Sequence, residues 1–290
     1  MNYILKNDEL TVTLSDVGAE LISVKRGDCE YIWQGDEKYW NGQAPFAFPI
    51  CGRVIGGVYL HEGKQYELGC HGFAKLQKFE AHPVTNAEIR FVLTANEETK
   101  KIYPFDFELT IVYRLEGNRL SNKVTIKNTG KVILPATFGA HPGYNVPLDG
   151  KGQFEDYYLE FGETCAPDEI VLTPDCFITG GRRPKMLVDG KILPLEHSLF
   201  DNDALFLSRA ASSITLKSDK SDRFVTMEYP DMPYLGFWHA PHTDAPYVCI
   251  EPWCGLPDYG GESVEIMQKN DLFRLIPGDE KTLRFYTVFG

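Results

Sequence analysis

The chain has 290 residues, 43% hydrophobic and 24% charged, a globular composition long enough to bury a large core without staples. A formal net charge of −12 disfavours nucleic acid and anionic membranes as general partners, because both select basic surfaces. The seven cysteines are an odd number with no CxxC pair, which argues against a zinc ribbon or a secreted disulfide scaffold.

The opening MNYILKNDEL has no basic stretch leading into an apolar run, so no signal peptide is expected there. Nowhere does the chain approach the roughly 18 consecutive apolar residues of a membrane-spanning helix. A cytoplasmic protein with reduced thiols and no membrane partner is the expectation. From the N-terminus, ELTVTLSDVGAELISVKRGDCEYIW supplies three short strands. It contains Arg26-Gly27-Asp28, an adhesion tripeptide by spelling, but at a position where a hairpin turn is expected and Gly-Asp is ordinary turn chemistry.

Further on, FELTIVYRLEGNRLSNKVTIKN alternates Phe107, Leu109, Ile111, Tyr113 and Leu115 with polar residues, pauses at Gly117-Asn118, and resumes with Leu120, Val124 and Ile126. That is a hairpin of two half-buried strands. SITLKSDKSDRFVTMEYP reads as a second hairpin, and TLRFYTVFG closes the chain with one more strand. No amphipathic helical stretch of a dozen residues occurs, and 18 prolines with 26 glycines punctuate frequent turns. The fold class expected is all-β, a sandwich or barrel, with residues 1–290 as a single large domain.

Six residues stand out as candidates for chemistry. Arg53, in FAFPICGRVIGG, follows a buried approach and sits at a Gly-bounded turn; its planar fork suits hydroxyls and carboxylates. His71, in LGCHGFAK, is in a loop, where the motif alone favours a histidine hydrogen-bonded to backbone over a catalytic one. His141 follows the small, apolar ILPATFGA and precedes a Pro-Gly turn, a setting that displays a side chain toward loops where sites are built. Asp203, in SLFDNDALFLS, lies in a polar turn between two apolar runs. Trp238, beside His239 in LGFWHAPH, offers a flat face for stacking or is simply part of core and rim. Glu251, in YVCIEPWCG, is expected at the end of a buried strand running from Tyr247 to Ile250. Desolvation there raises a carboxyl pKa and makes a usable base near neutral pH. An ion pair with a nearby Arg is the alternative. There is no phosphate loop, dinucleotide fingerprint, nucleophile elbow or His-Glu-x-x-His motif.

Taken in order, the Arg of FPICGRVIGG, the His of HGFAK, the His of HPGYNVPL, the Asp of FDNDAL and the Glu of CIEPWCGLPD resemble the aldose 1-epimerase (galactose mutarotase-like) family. The likeness runs from about residue 3 to the end and is greatest to the LacX-like branch. The resemblance implies a β-supersandwich and a site without metal or cofactor that interconverts sugar anomers. It implies Glu251 as general base, His141 as general acid, His71 as a second active-site histidine near the ring oxygen, and Arg53 and Asp203 as holders of sugar hydroxyls. Sugar-phosphate epimerases of the superfamily commonly place an Arg after HGFA. Here Lys75 stands there and Asn145 is kept in HPGYN, which favours a free hexose over a hexose phosphate. Three rival readings remain from the residues: a non-catalytic sugar binder, a metal site of His71, His141 and Glu251, and a glycosidase using Glu251 with Asp203.

Overall fold

The computed structural model describes all of residues 1–290. The expected central hairpin is present. Phe107–Glu116 and Arg119–Asn128 pair antiparallel from Phe107 opposite Asn128 to Glu116 opposite Arg119. The connection turns at Gly117, whose φ of 55° is a left-handed conformation that glycine adopts freely. Phe107, Leu109, Ile111, Tyr113 and Leu115 are all buried, each such side chain stabilising the fold by about 1.5–3 kcal/mol relative to exposure.

This hairpin lies within a nine-stranded sheet. The C-terminal strand Glu280–Phe289 docks on Arg119–Asn128 and joins it to the second expected hairpin, Ser213–Ser218 with Ser221–Glu228. An eight-stranded sheet forms the other main layer. Its middle is Tyr247–Trp253, paired on one side with Tyr234–Trp238 and on the other with Gly139–Ala140 and Gly143–Asn145. A core of 65 buried residues takes side chains from both large sheets. The fold is thus the β-sandwich expected.

The N-terminal region forms a four-stranded sheet, one strand more than the sequence suggested: Asn2–Lys6 pairs with Thr11–Ser15. Only Leu5 of that first strand is buried, so its alternation is too weak to read. Arg26-Gly27-Asp28 is a tight turn between Leu21–Arg26 and Cys29–Glu30, as expected, with Gly27 at φ 62°. The single α-helix, Glu97–Ile102, has six residues and is capped by Asn96. No helix is long and apolar enough to cross a membrane.

One expectation is corrected. Glu251 does not end its strand; the strand runs on to Trp253, buried throughout. Pro252 is tolerated because the neighbouring chain pairs only with Tyr247–Cys249 and with Trp253, leaving a gap between them. A residue with no N–H loses no ladder bond in such a gap.

Candidate active site

The gap is what builds the site. Between Gly139–Ala140 and Gly143–Asn145 the chain detours through His141 and Pro142, held by the Pro142 carbonyl accepting from Ile250 N–H (3.1 Å) and by His141 N–H donating to the Pro45 carbonyl (3.0 Å). Gly139 pairs with Trp253 and Gly143 with Cys249, so the detour falls opposite Glu251. His141 Nε2 lies 3.2 Å from Glu251 Oε1. The partner of the carboxyl is therefore a histidine, not an arginine. On the other flank Gly236 faces Glu251. A Cβ on Gly236 would come within 2.5 Å of the Phe206 ring and 3.3 Å of Glu251 Cβ, so a side chain there would have to displace Phe206 and crowd Glu251.

His71 arrives from a different loop. Its φ is 63° and that of Gly72 is 68°, two successive left-handed residues. A Cβ on Gly72 would approach the Phe48 carbonyl oxygen to 2.2 Å. His71 is pinned by its N–H donating to the Gly52 carbonyl (2.7 Å) and by its carbonyl accepting from Phe48 N–H (3.1 Å). Gly52 N–H donates to His71 Nδ1 at 3.2 Å. A neutral imidazole has one N–H, so this leaves the His71 proton on Nε2, available as a donor. The His71 and His141 rings stand edge to face at 5.2 Å between centroids.

All six residues singled out by the sequence line one cleft of about 420 Å³: Arg53, His71, His141, Asp203, Trp238 and Glu251. Trp238 ends its strand with its ring 5.7 Å from that of His141. Its neighbour His239 points the opposite way, fully buried against Phe200 and His197, as strand alternation requires. Asp203 is left-handed (φ 69°) and accepts a hydrogen bond from the Cys176 thiol at 2.7 Å. Arg53 donates to the carbonyl of Asp175, the next residue back. The Asp175–Cys176 turn thus touches both residues expected to hold hydroxyls. Non-glycine residues at positive φ cost about 1–3 kcal/mol each, and three of them, His71, Cys176 and Asp203, line this cleft.

Sequence reasoning passed over four contributors. Trp40 lies over His141 at 5.1 Å and edges against Trp238 at 5.5 Å. Cys176 orients Asp203. Trp253 has its indole Nε1 buried with no partner. Cys249, two residues before Glu251 on the same strand, lies near both Glu251 and His141. The aromatic pair of KYWNG is the one local signal that could have pointed to Trp40.

The electrostatics follow from burial. Burial, with Asp203's charge adding to it, pushes the Glu251 carboxyl well above the ordinary range. Burial pulls His141 down to about 3 and His71 well below the usual imidazole value, the latter aided by neighbouring His141. In the empty cleft both imidazoles are neutral near pH 7. Four buried side-chain polar atoms have no hydrogen-bond partner, and three of them, His141 Nδ1, Glu251 Oε1 and Trp253 Nε1, belong to cleft residues. Buried polar groups are paired in the great majority of cases. Their convergence leaves the cleft with buried polar groups free to bond a small polar molecule.

A fold of this kind around a cleft with a Glu–His pair defines the class, and the comparison with known families agrees. The chain belongs to the aldose 1-epimerase family, whose model matches residues 1–271. It is 35% identical over 292 aligned positions to the chromosomal protein LacX of Lactococcus lactis subsp. lactis, covering 96% of each chain. Among solved structures it resembles a galactose mutarotase related enzyme from Lactobacillus acidophilus, with a TM-score of 0.95, 34% identity, and coverage of 100% of this chain and 97% of that one. A galactose mutarotase-like protein from Lactobacillus casei superposes with a TM-score of 0.94 at 29% identity, covering both chains fully.

Proposed function

We propose that the chain acts as one domain in the cytoplasm and is a mutarotase, interconverting the α and β anomers of a free hexose without a cofactor. The observation that carries this is the approach of His141 Nε2 to 3.2 Å from Glu251 Oε1 in the cleft with no hydrogen bond between them, so that Glu251 Oε1, like His141 Nδ1, is without a partner. A cleft of about 420 Å³ falls within the roughly 300–1,000 Å³ of small-molecule sites. Trp238 and Trp40 form an aromatic wall against which a sugar face can lie, and Arg53 and Asp203 are placed to take its hydroxyls.

Ring opening removes a proton from the anomeric hydroxyl and delivers one to the ring oxygen. The C1–O5 bond breaks and the C1 carbonyl forms; rotation about C1–C2 turns the other carbonyl face to O5, and the reverse transfers close the ring. One proton shared by the pair is enough for the whole cycle. The shifts favour that proton on Glu251. Sugar hydroxyls donating to Glu251 would favour its carboxylate, and transfer of the proton to His141 then sets Glu251 as base and His141 as acid. Burial makes that carboxylate a stronger base than a surface glutamate. His71 Nε2–H then donates toward the ring oxygen and stabilises charge developing there. Each acid or base group supplies about 10²–10⁴ in rate.

A hexose phosphate is the second reading: Lys75, although not the Arg of sugar-phosphate epimerases, lines the cleft with Arg53 and supplies positive charge. The carboxylates of Asp203 and Glu251 in the same cleft oppose a dianion. Polarimetry on freshly dissolved α-D-glucose and α-D-galactose, beside anomer-resolved NMR exchange on glucose 6-phosphate, separates the readings. Acceleration of a free sugar is expected. Acceleration of the phosphate alone would transfer the assignment to it, and acceleration of none would overturn an anomer-converting role for these substrates.

A further inference from the structure

Acid–base chemistry gives no part to Cys249, which does not itself line the cleft but lies buried beside two residues that do. His141, Cys249 and Glu251 are all buried, and an imidazole nitrogen, the thiol sulfur and a carboxylate oxygen lie within 4.8 Å of one another. The arrangement follows from the sheet. Cys249 and Glu251 are two residues apart on Tyr247–Trp253, so the pleat turns both side chains to one face, and the detour on the neighbouring strand brings His141 in from the side. Glu251 Oε1, the carboxyl atom nearest His141 Nε2, is buried with no hydrogen-bond partner.

We propose that His141, Cys249 and Glu251 form a site for a thiophilic divalent cation, zinc above all, that closes the enzyme by occupying its acid–base pair. A mixed nitrogen, sulfur and oxygen donor set selects zinc or cobalt and rejects magnesium and calcium, which need oxygen shells. Tetrahedral zinc with bonds of about 2.0–2.3 Å spaces its ligand atoms roughly 3.3–3.8 Å apart. His141 Nε2 and Glu251 Oε1 already stand 3.2 Å apart. With all three atoms inside 4.8 Å, reaching the tetrahedral spacing takes side-chain shifts of about 1 Å. Charge also balances. A neutral imidazole, a thiolate and a carboxylate around Zn²⁺ sum to zero, so the loaded floor carries no net buried charge. The thiol proton and the proton held on Glu251 both leave to solvent as the Zn–S and Zn–O bonds form. Three protein ligands leave the fourth position to water on the cleft side, and the ion enters where the sugar would.

Binding is independent of the mutarotase reading; only the inhibition rests on it. Chelator-stripped protein, with no sugar present, is titrated with Co²⁺ and followed by the thiolate-to-cobalt charge-transfer band in the near ultraviolet. Wild type is compared with Cys249→Ser and Glu251→Gln, each checked for native melting behaviour. One equivalent of Co²⁺ with the band, displaced by Zn²⁺ and untouched by Mg²⁺, is expected. Loss of the band in Cys249→Ser and at least about tenfold weaker binding in Glu251→Gln are expected with it. In the sugar assay Zn²⁺ raises the apparent KM of wild type, while Cys249→Ser keeps its metal-free rate within about twofold and resists inhibition at least about tenfold better. Absence of the band in wild type overturns the site. So does a band that survives in Cys249→Ser, which would place the metal on other thiols such as Cys70 or Cys176. Undiminished binding by Glu251→Gln overturns it too.

Discussion

Replacing Lys269 with methionine removes one half of a buried ion pair that braces the rim of the cleft. Lys269 Nζ lies 2.8 Å from Asp258 Oδ1, with the two side chains 4% and 6% exposed, and donates also to the Leu256 carbonyl at 2.8 Å. Asp258 in turn holds the Arg53 loop: its Oδ2 accepts from Ile55 N–H at 3.2 Å and its own N–H donates to the Arg53 carbonyl at 3.0 Å. Leaving Asp258 buried without its cation costs about 3–5 kcal/mol. The entropy of unfolding, about 2.1 cal/mol/K per residue, comes to roughly 0.6 kcal/mol/K for 290 residues. The melting temperature should therefore fall by about 5–8 °C. Calorimetry on Lys269→Met, Asp258→Asn and the double variant tests this, and the double variant should lose less than the sum of the singles. Below its melting point Lys269→Met should show a raised KM at nearly unchanged kcat, because it loosens the support of Arg53 and leaves the Glu–His pair intact. A fall under about 2 °C, or additive single losses, would refute the ion pair as a structural brace.

Two other outcomes follow from the cleft. Trp238→Ala should raise KM roughly two- to twelvefold with little change in kcat, the equivalent of about 0.5–1.5 kcal/mol of stacking; an unchanged KM in steady-state kinetics would remove Trp238 from the sugar wall. The pH profile of kcat/KM should be bell-shaped around the singly protonated pair. A second proton, bound only as pH falls toward His141's value of about 3, would quench it on the acid side. Loss of the last proton, at a pH above the ordinary carboxyl range because Glu251 is raised, quenches it on the alkaline side. No acid-side loss is thus expected until the pH nears His141's value of about 3, and an acid-side half-loss near the ordinary imidazole value would contradict a buried, neutral His141.

The hairpins, the closing strand and the six cleft residues were legible because each carries a local signature: period-two alternation, a Gly-Asn turn, or an ionisable group set among turn formers and aromatics. Cys249 was not legible. Its partners are Glu251, two residues on, and His141, which only the gap between two short strands brings opposite, and nothing local encodes that gap. Cys176 escaped for the same reason, since its bond to Asp203 spans 27 positions. Glu251 was placed at a strand end because Pro252 normally stops a ladder; it does not here, because no neighbour pairs with that position on the detour side. His239 looked as available as Trp238 until the strand set them on opposite faces.

The central claim is that Glu251 is the base in anomer exchange, and polarimetry of α-D-galactose and α-D-glucose with wild type beside Glu251→Gln addresses it most directly. Glutamine keeps the shape of the side chain next to His141 and removes the carboxylate. Acceleration by wild type, with a rate at least about 10²–10⁴ lower in a variant that still melts cooperatively and binds sugar, is the expected result. A Glu251→Gln protein that equilibrates the anomers at close to the wild-type rate would contradict it.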